Sequence, residues 1–304
     1  MLSKPTPALT TDRRIKAQEN RYCGNPDDWF DSPYFKDRGI YAASFDFFVN
    51  WRTETICDEV WIKRISDTAE IQNQSAEELQ GLIFECDGQE KTIRLNRFLS
   101  SHNMTEKYML FREVPEQDWA DGKEKVVELD YSHFGRGAVS YFNAQEIQNK
   151  IKALRILPAA IGSAGLRYST SSLEGYLSKQ PYFWPGDADT LLYDGSNRVR
   201  AILEFKKHTA RSTIPFKDQK LSNYIERDKL KYKSLALLRD RFRTNLFVLY
   251  YPIQDDLRYI IVEKVAGNPD DLHAGSRYEL KLPYIKGEYS MKAFTRKFIE
   301  NVLQ

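Results

Sequence analysis

The stretch GDADTLLYDGSNRVRAILEFKKH, Gly186 to His208, reads as two apolar strands joined by a tight turn. A buried strand should exclude charge, yet Asp189, Glu204 and Lys206 stand inside these two. Side chains alternate along a strand, so Ile202, Glu204, Lys206 and His208 share one face and Ala201, Leu203 and Phe205 take the other. Glu204 and Lys206 then sit about 6–7 Å apart at the backbone. The turn folds the first strand back, so that Asp189, about seven residues before its centre, meets Glu204, about eight after it. The plainer reading is an edge hairpin whose Glu204 and Lys206 face water and whose Asp189 belongs to a turn.

The chain around this hairpin has 304 residues, room for one large domain or two ordinary ones. With 41% apolar and 29% charged residues it has the composition of a globular protein. No run of about 18 apolar residues marks a membrane span. The start, MLSKPTPALTTDRRIK, lacks the apolar stretch of a signal peptide and reads as a loose leader over residues 1–20. Three cysteines, Cys23, Cys57 and Cys86, fit a reducing, cytoplasmic setting better than a disulfide framework. None forms a CxxC pair and only four histidines occur, which argues against zinc. Charge is uneven: residues 1–150 hold 19 basic and 26 acidic side chains, whereas residues 198–243 hold 14 and 5. The positive field surrounds the hairpin and favours a polyanion, although a solvated basic helix has the same composition.

Short apolar or alternating runs at 39–51, 59–65, 81–86, 91–99 and 107–114 read as strands, with DGQ at 87–89 as a hairpin turn between two of them. Ser75 followed by Glu78 suggests a helical turn over 75–80. These signals give a β-rich N-terminal domain over 21–140, of unassigned role. No internal repeat shows in the sequence. Helical spacing recurs at 143–162, limited by Pro158, at 171–180, at 218–243 and at 290–303; strands fill 189–194, 198–207, 245–252 and 257–265. The mixture over 141–304 predicts an α/β (α+β) domain: a mixed sheet flanked by helices.

Two carboxylates brought together at a sheet edge repel and lose hydration. A divalent cation relieves both costs, and Mg²⁺, which prefers oxygen ligands and keeps several waters, suits the pair. Such an ion polarises a phosphate and activates water, and a neighbouring lysine can orient that water or stabilise developing charge.

Asp189 followed fifteen residues later by Glu204-Phe205-Lys206 resembles the PD-(D/E)XK nuclease superfamily. The resemblance covers about 60 to 80 residues around 171–250, and implies a restriction-endonuclease-like sheet. It implies that Asp189 and Glu204 hold Mg²⁺, with Mn²⁺ able to substitute, that the Phe205 carbonyl is a further metal ligand, and that Lys206 assists the water. Many members add an acid on the preceding helix; Glu174 is the first candidate here and Glu146 its rival. The P-D dipeptide of the motif is replaced by Pro185-Gly186-Asp187-Ala188-Asp189, which keeps Asp187 as an alternative to Asp189. Gln219 and Tyr224 are one residue too far apart for the Q-x-x-x-Y pattern of some branches, and Tyr232 lies in DKLKY.

Lys207, His208, Arg211, Lys217 and Lys220 follow the site and suit contacts to phosphates. The expected activity is metal-dependent endonucleolytic hydrolysis of nucleic acid, DNA before RNA, with a homodimer as one way to cut both strands. Restriction, phage-defence or mobile-element biology follows by analogy of fold alone. The alternative is a catalytically inactive module of the same fold that binds nucleic acid or a protein.

Overall fold

The computed structural model describes residues 1–131, 137–156, 166–179 and 186–304. Pro158 and Pro185 lie outside these. Three short strands open the chain, β1 (Leu2–Ser3), β2 (Ala8–Leu9) and β3 (Asp12–Lys16), followed by helices α1 (Pro26–Phe30) and α2 (Pro33–Lys36). Strands β4 (Ile40–Asn50) and β5 (Thr55–Ser66) lead to helices α3 (Ala76–Asp87) and α4 (Gln89–Ser101), then to β6 (Thr105–Arg112). After α5 (Glu116–Ala120) come β7 (Val126–Asp130), β8 (Ala138–Phe142), α6 (Ala144–Arg155), β9 (Tyr168–Ser169) and α7 (Ser172–Leu177). The hairpin β10 (Gly186–Asp194) and β11 (Val199–His208) follows, then α8 (Lys229–Phe242), β12 (Leu246–Pro252), β13 (Tyr259–Asn268), β14 (Asp271–Lys281) and α9 (Glu288–Val302).

Two compact units form: Met1–Ala17 with Phe45–Gly186, and Gln18–Ser44 with Asp187–Gln304. This division differs from a single cut near residue 140, because each unit includes a segment that precedes the other's hairpin. Residues 1–17 are not a loose leader. β1 pairs with β5, β2 pairs with β3 and β9, and the Arg13 guanidinium donates to the Ser169 and Thr170 carbonyls and to Glu113.

In the first unit β4 runs antiparallel to β5, β5 parallel to β6, and β6, β7 and β8 form an antiparallel meander. The connection from β5 to β6 is helical, as a parallel pair requires. This corrects the strands expected at 81–86 and 91–99. Ser75 and Glu78 form a complete capping box, and the helix it starts runs through to Asp87. Leu79 and Ile83, and then Leu95, Phe98 and Leu99, are buried at helical spacing. Gly88, at φ 86°, joins the two helices where a hairpin turn was expected. Trp61, Phe48, Met109, Phe111 and Trp119 pack with Ile147 and Ile151 of α6 and with Leu173 and Leu177 of α7. Ile156 leaves that face: at φ 61° it ends α6 in the left-handed region.

The second unit has the same strand plan. β10 is antiparallel to β11, β11 is parallel to β12 through α8, and β12, β13 and β14 form an antiparallel meander closed by α9. One topology thus occurs twice without a visible sequence repeat. One face of this sheet, including Ala201, Leu203, Phe247 and Leu249, packs with Trp29, Phe30 and Phe35 and with Phe294 and Phe298 of α9. Phe205 stacks on Phe30 with ring centroids 6.0 Å apart, on the side the alternation assigned to it. Residues 218–243 are not one helix. Two single 3₁₀ turns, Phe216–Asp218 and Leu221–Asn223, precede α8. Strand β14 carries few buried residues, so its apolar signal is weak in the sequence.

Two predictions follow from the first unit. Ser75→Ala removes a helix cap and should lower unfolding free energy by about 1 kcal/mol in urea titration, with Ser75→Asp close to neutral. Glu106 is 1% exposed, and burial pushes its carboxyl from 4.5 up to about 8. Between those pH values the folded chain keeps a proton that the unfolded chain releases, so stability falls as pH rises from 4.5 to about 8. Glu106→Gln should flatten that slope in melts recorded across the range; an unchanged slope would refute the assignment.

Candidate active site

Helix α8 packs on β11 and β12, and the strand face beneath it carries Ile202, Glu204 and Lys206. Thr190 pairs with Leu203, a register that sets Asp189 opposite Glu204. The hairpin therefore brings Asp189, Glu204 and Lys206 together as the alternation required. The Phe205 amide donates to Asp189 Oδ2 at 2.6 Å. In an extended strand the N–H and C=O of one residue open on the same edge, so the Phe205 carbonyl opens on the edge that Asp189 occupies.

Glu204 is 1% exposed. Its Oε1 lies 3.0 Å from Lys206 Nζ and 2.9 Å from Lys231 Nζ. Its Oε2 is buried with no hydrogen-bond partner among the described residues. Burial, and next the charge of Glu204, push the Asp189 carboxyl well above the ordinary carboxylate range, against the pull of Lys231 and the Phe205 amide. Lys231 also shifts upward, through its acidic neighbours and not through burial. Burial draws its ammonium down, but Asp187, Glu204 and Asp189 outweigh that and hold it well above the ordinary lysine value.

Lys206 is fixed from several sides. Asp228 Oδ2 lies 3.3 Å from its Nζ, and the rings of Tyr224 and Tyr232 have centroids 5.3 and 5.4 Å away. Arg227 holds Asp228 at 2.8 Å. The Tyr224 hydroxyl donates to the buried Gln219 Oε1, so this pair meets despite its spacing. Behind them Glu263 accepts from the Leu221 amide at 2.6 Å and from the Tyr250 hydroxyl at 3.0 Å, tying the 3₁₀ turns to β12 and β13.

The other expected residues separate into engaged and exposed. Lys207 donates to the Gln18 carbonyl at 2.9 Å, and burial draws its ammonium below the ordinary value. His208 is buried, with Nε2 3.0 Å from the Ile214 carbonyl and Nδ1 beside Gln254, so both ring nitrogens serve the local structure. Arg211, Lys217 and Lys220 are exposed. Glu174 and Glu146 both belong to the first unit and are used at helix starts there. Glu174 accepts from the Thr170 amide and hydroxyl at 2.6 and 2.5 Å, and Glu146 closes a capping box with Asn143.

Sequence reading missed Lys231 and Asp228. Both lie in the RDKLKYK run, where their charges look like those of any basic helix. Asp228, at the N-cap of α8, meets Lys206, and Lys231, in its first turn, meets Glu204; this placement is what distinguishes them.

Two carboxylates on one face, an unpartnered buried oxygen and a carbonyl on the same edge fit a hard divalent cation, which needs only one or two carboxylates. Three clustered His, Cys, Asp or Glu side chains able to hold a metal do not occur among the described residues. No helix among them is long and apolar enough to cross a membrane. No protein-family model, curated protein or solved structure matches the chain.

The Glu204–Lys206 contact is shielded enough to be measurable. A double-mutant cycle with Glu204→Gln and Lys206→Met, read by urea unfolding without metal, should give a coupling of about 1–3 kcal/mol. A coupling near zero would mean that Lys231 alone balances Glu204.

Proposed function

We propose that the second unit is a Mg²⁺-dependent nuclease that hydrolyses phosphodiester bonds, with DNA as its substrate. The observation that carries this reading is the buried, unpartnered Oε2 of Glu204 beside Asp189 and Lys206. An unpartnered buried carboxylate oxygen costs about 1–3 kcal/mol or more; Glu106 and Glu116 carry one too, and Glu204 is the case that shares its strand face with Asp189 and Lys206. Asp189, Glu204 and the Phe205 carbonyl would hold the ion. When bound, Mg²⁺ supplies Lewis-acid polarisation of the phosphate and makes water more acidic.

The chain's own groups do the positioning. Lys206, fixed by Asp228 and two tyrosine rings, directs its ammonium to the face where Asp189 and Glu204 stand. There it orients an attacking water or stabilises charge developing on phosphate oxygens. Arg211, Lys217 and Lys220, exposed after β11, supply contacts to flanking phosphates. The resemblance of Asp189 and Glu204-Phe205-Lys206 to the PD-(D/E)XK nucleases supports the same reading.

A second reading has its own observation. Lys206 and Lys231 already neutralise Glu204, as in a structural ion-pair network, which suits an inactive module that binds nucleic acid or a protein.

The two separate in one assay. Plasmid DNA, single-stranded DNA and RNA are incubated with Mg²⁺, Mn²⁺ or EDTA. Cutting of DNA should need metal and fall ~100-fold or more in Glu204→Ala and in Lys206→Ala. Cutting that survives both substitutions, or no cutting together with no calorimetric metal binding, would sink the nuclease reading. Preferential cutting of RNA would overturn the choice of DNA.

A further inference from the structure

We propose that Lys231 is a built-in counter-ion for this site, and that a divalent cation binds only by displacing its ammonium from Glu204. The proposal rests on the metal-site reading above and adds a determinant of metal affinity to it.

The two ammonium groups on Glu204 Oε1 are held differently. Lys206 has 15% of its side chain exposed, pairs with Asp228 and lies near two tyrosine rings. Lys231 has 32% exposed, and its other ion-pair partner is Asp187, at 3.2 Å. Asp187 is 49% exposed, so it stands nearer solvent than Glu204, at 1%. The lysine stem is a flexible four-carbon chain. It can release Glu204 and keep Asp187, retaining one ion pair and the helix geometry.

Release is required by charge. One oxygen of Glu204 carries two ammonium contacts and the other carries none, so an ion at Oε2 sits a carboxylate's width from two like charges. Repulsion at that separation is strong where water is excluded. Each lysine has a second carboxylate, but Lys206 is 15% exposed and enclosed by Asp228, Tyr224 and Tyr232, whereas Lys231 is 32% exposed and its Asp187 stands farther toward solvent. Without metal, the ammonium is a second counter-charge for buried Glu204, beside that of Lys206. With metal it is redundant at Glu204, and Asp187 holds it at the solvent side, within reach of an arriving anionic phosphate.

Lys231→Met keeps the apolar length of the stem and removes the charge. Calorimetry with Mn²⁺ on the full chain should show binding about tenfold tighter, or more, than in the unaltered protein. In EDTA the variant should melt several degrees lower, and Mn²⁺ should restore the difference. A purely structural lysine would lower both melting points equally. Lys231→Gln provides the same comparison if the Met variant does not fold. Equal or weaker Mn²⁺ binding by the variants, where the unaltered protein binds, would overturn this proposal and leave the metal site standing. No binding by any of them would remove the metal site and this proposal together.

Discussion

The pairing of β10 with β11 is the constraint on which the site depends. Thr190 opposite Leu203 is the register that sets Asp189 against Glu204. A slip of one residue would turn Glu204 toward the aromatic core of Trp29, Phe30 and Phe35, and Leu203 toward α8. The apolar residues on the other face prevent this: Ala201 and Leu203 have a packed destination, and Phe205 stacks on Phe30. The hydrophobic side of the hairpin thereby positions its charged side.

A carboxylate 1% exposed then imposes its own demands. Burying one charge is costly unless it is paired, so Glu204 draws in Lys206 and Lys231, and these draw in Asp228 and Asp187. Asp228 and Lys231 come from the start of α8, where the helix's positive end also favours a nearby anion. The helix that covers the sheet therefore also supplies the second layer of charge.

The first unit shows what the same topology holds without that carboxylate. Beneath its crossover helices, β5 presents Val60, Ile62 and then Arg64, which pairs with Asp87 of α3 at 2.8 Å. The second unit presents Ile202, Glu204 and Lys206, with Lys206 paired to Asp228 of the α8 start. Both plans hold a cation on the hairpin strand against an aspartate from the crossover. The acid on that face of the first unit is Glu106 of β6, in register with Val60 and bonded to Asn96 of α4, whereas the second unit places Asp189 and Glu204 on the hairpin itself; the units differ in their charged groups, not in their strand plan.

The hairpin was legible because period-two alternation is local: from residues 186–208 alone one can assign strands, faces and the approach of Asp189 to Glu204. Helix α6 was legible from its apolar spacing, though it stops at Arg155, and α7 from Ser171 and the glutamate three residues on. Helices α3 and α4 were not. Runs such as GLIFEC are apolar enough for either period, and the capping box at Ser75 had to be extended through them by packing. The topological repeat was hidden because strand order is a property of long-range pairing, which sequences of different composition can share. The role of Lys231 was hidden for a similar reason. Its partners Asp187 and Glu204 lie 44 and 27 residues before it, and only the packing of α8 over β11 brings the charges within ion-pair distance. Local periodicity determined the hairpin and which residues its faces carry. Tertiary packing decided which of those charges are buried, and therefore which must be compensated.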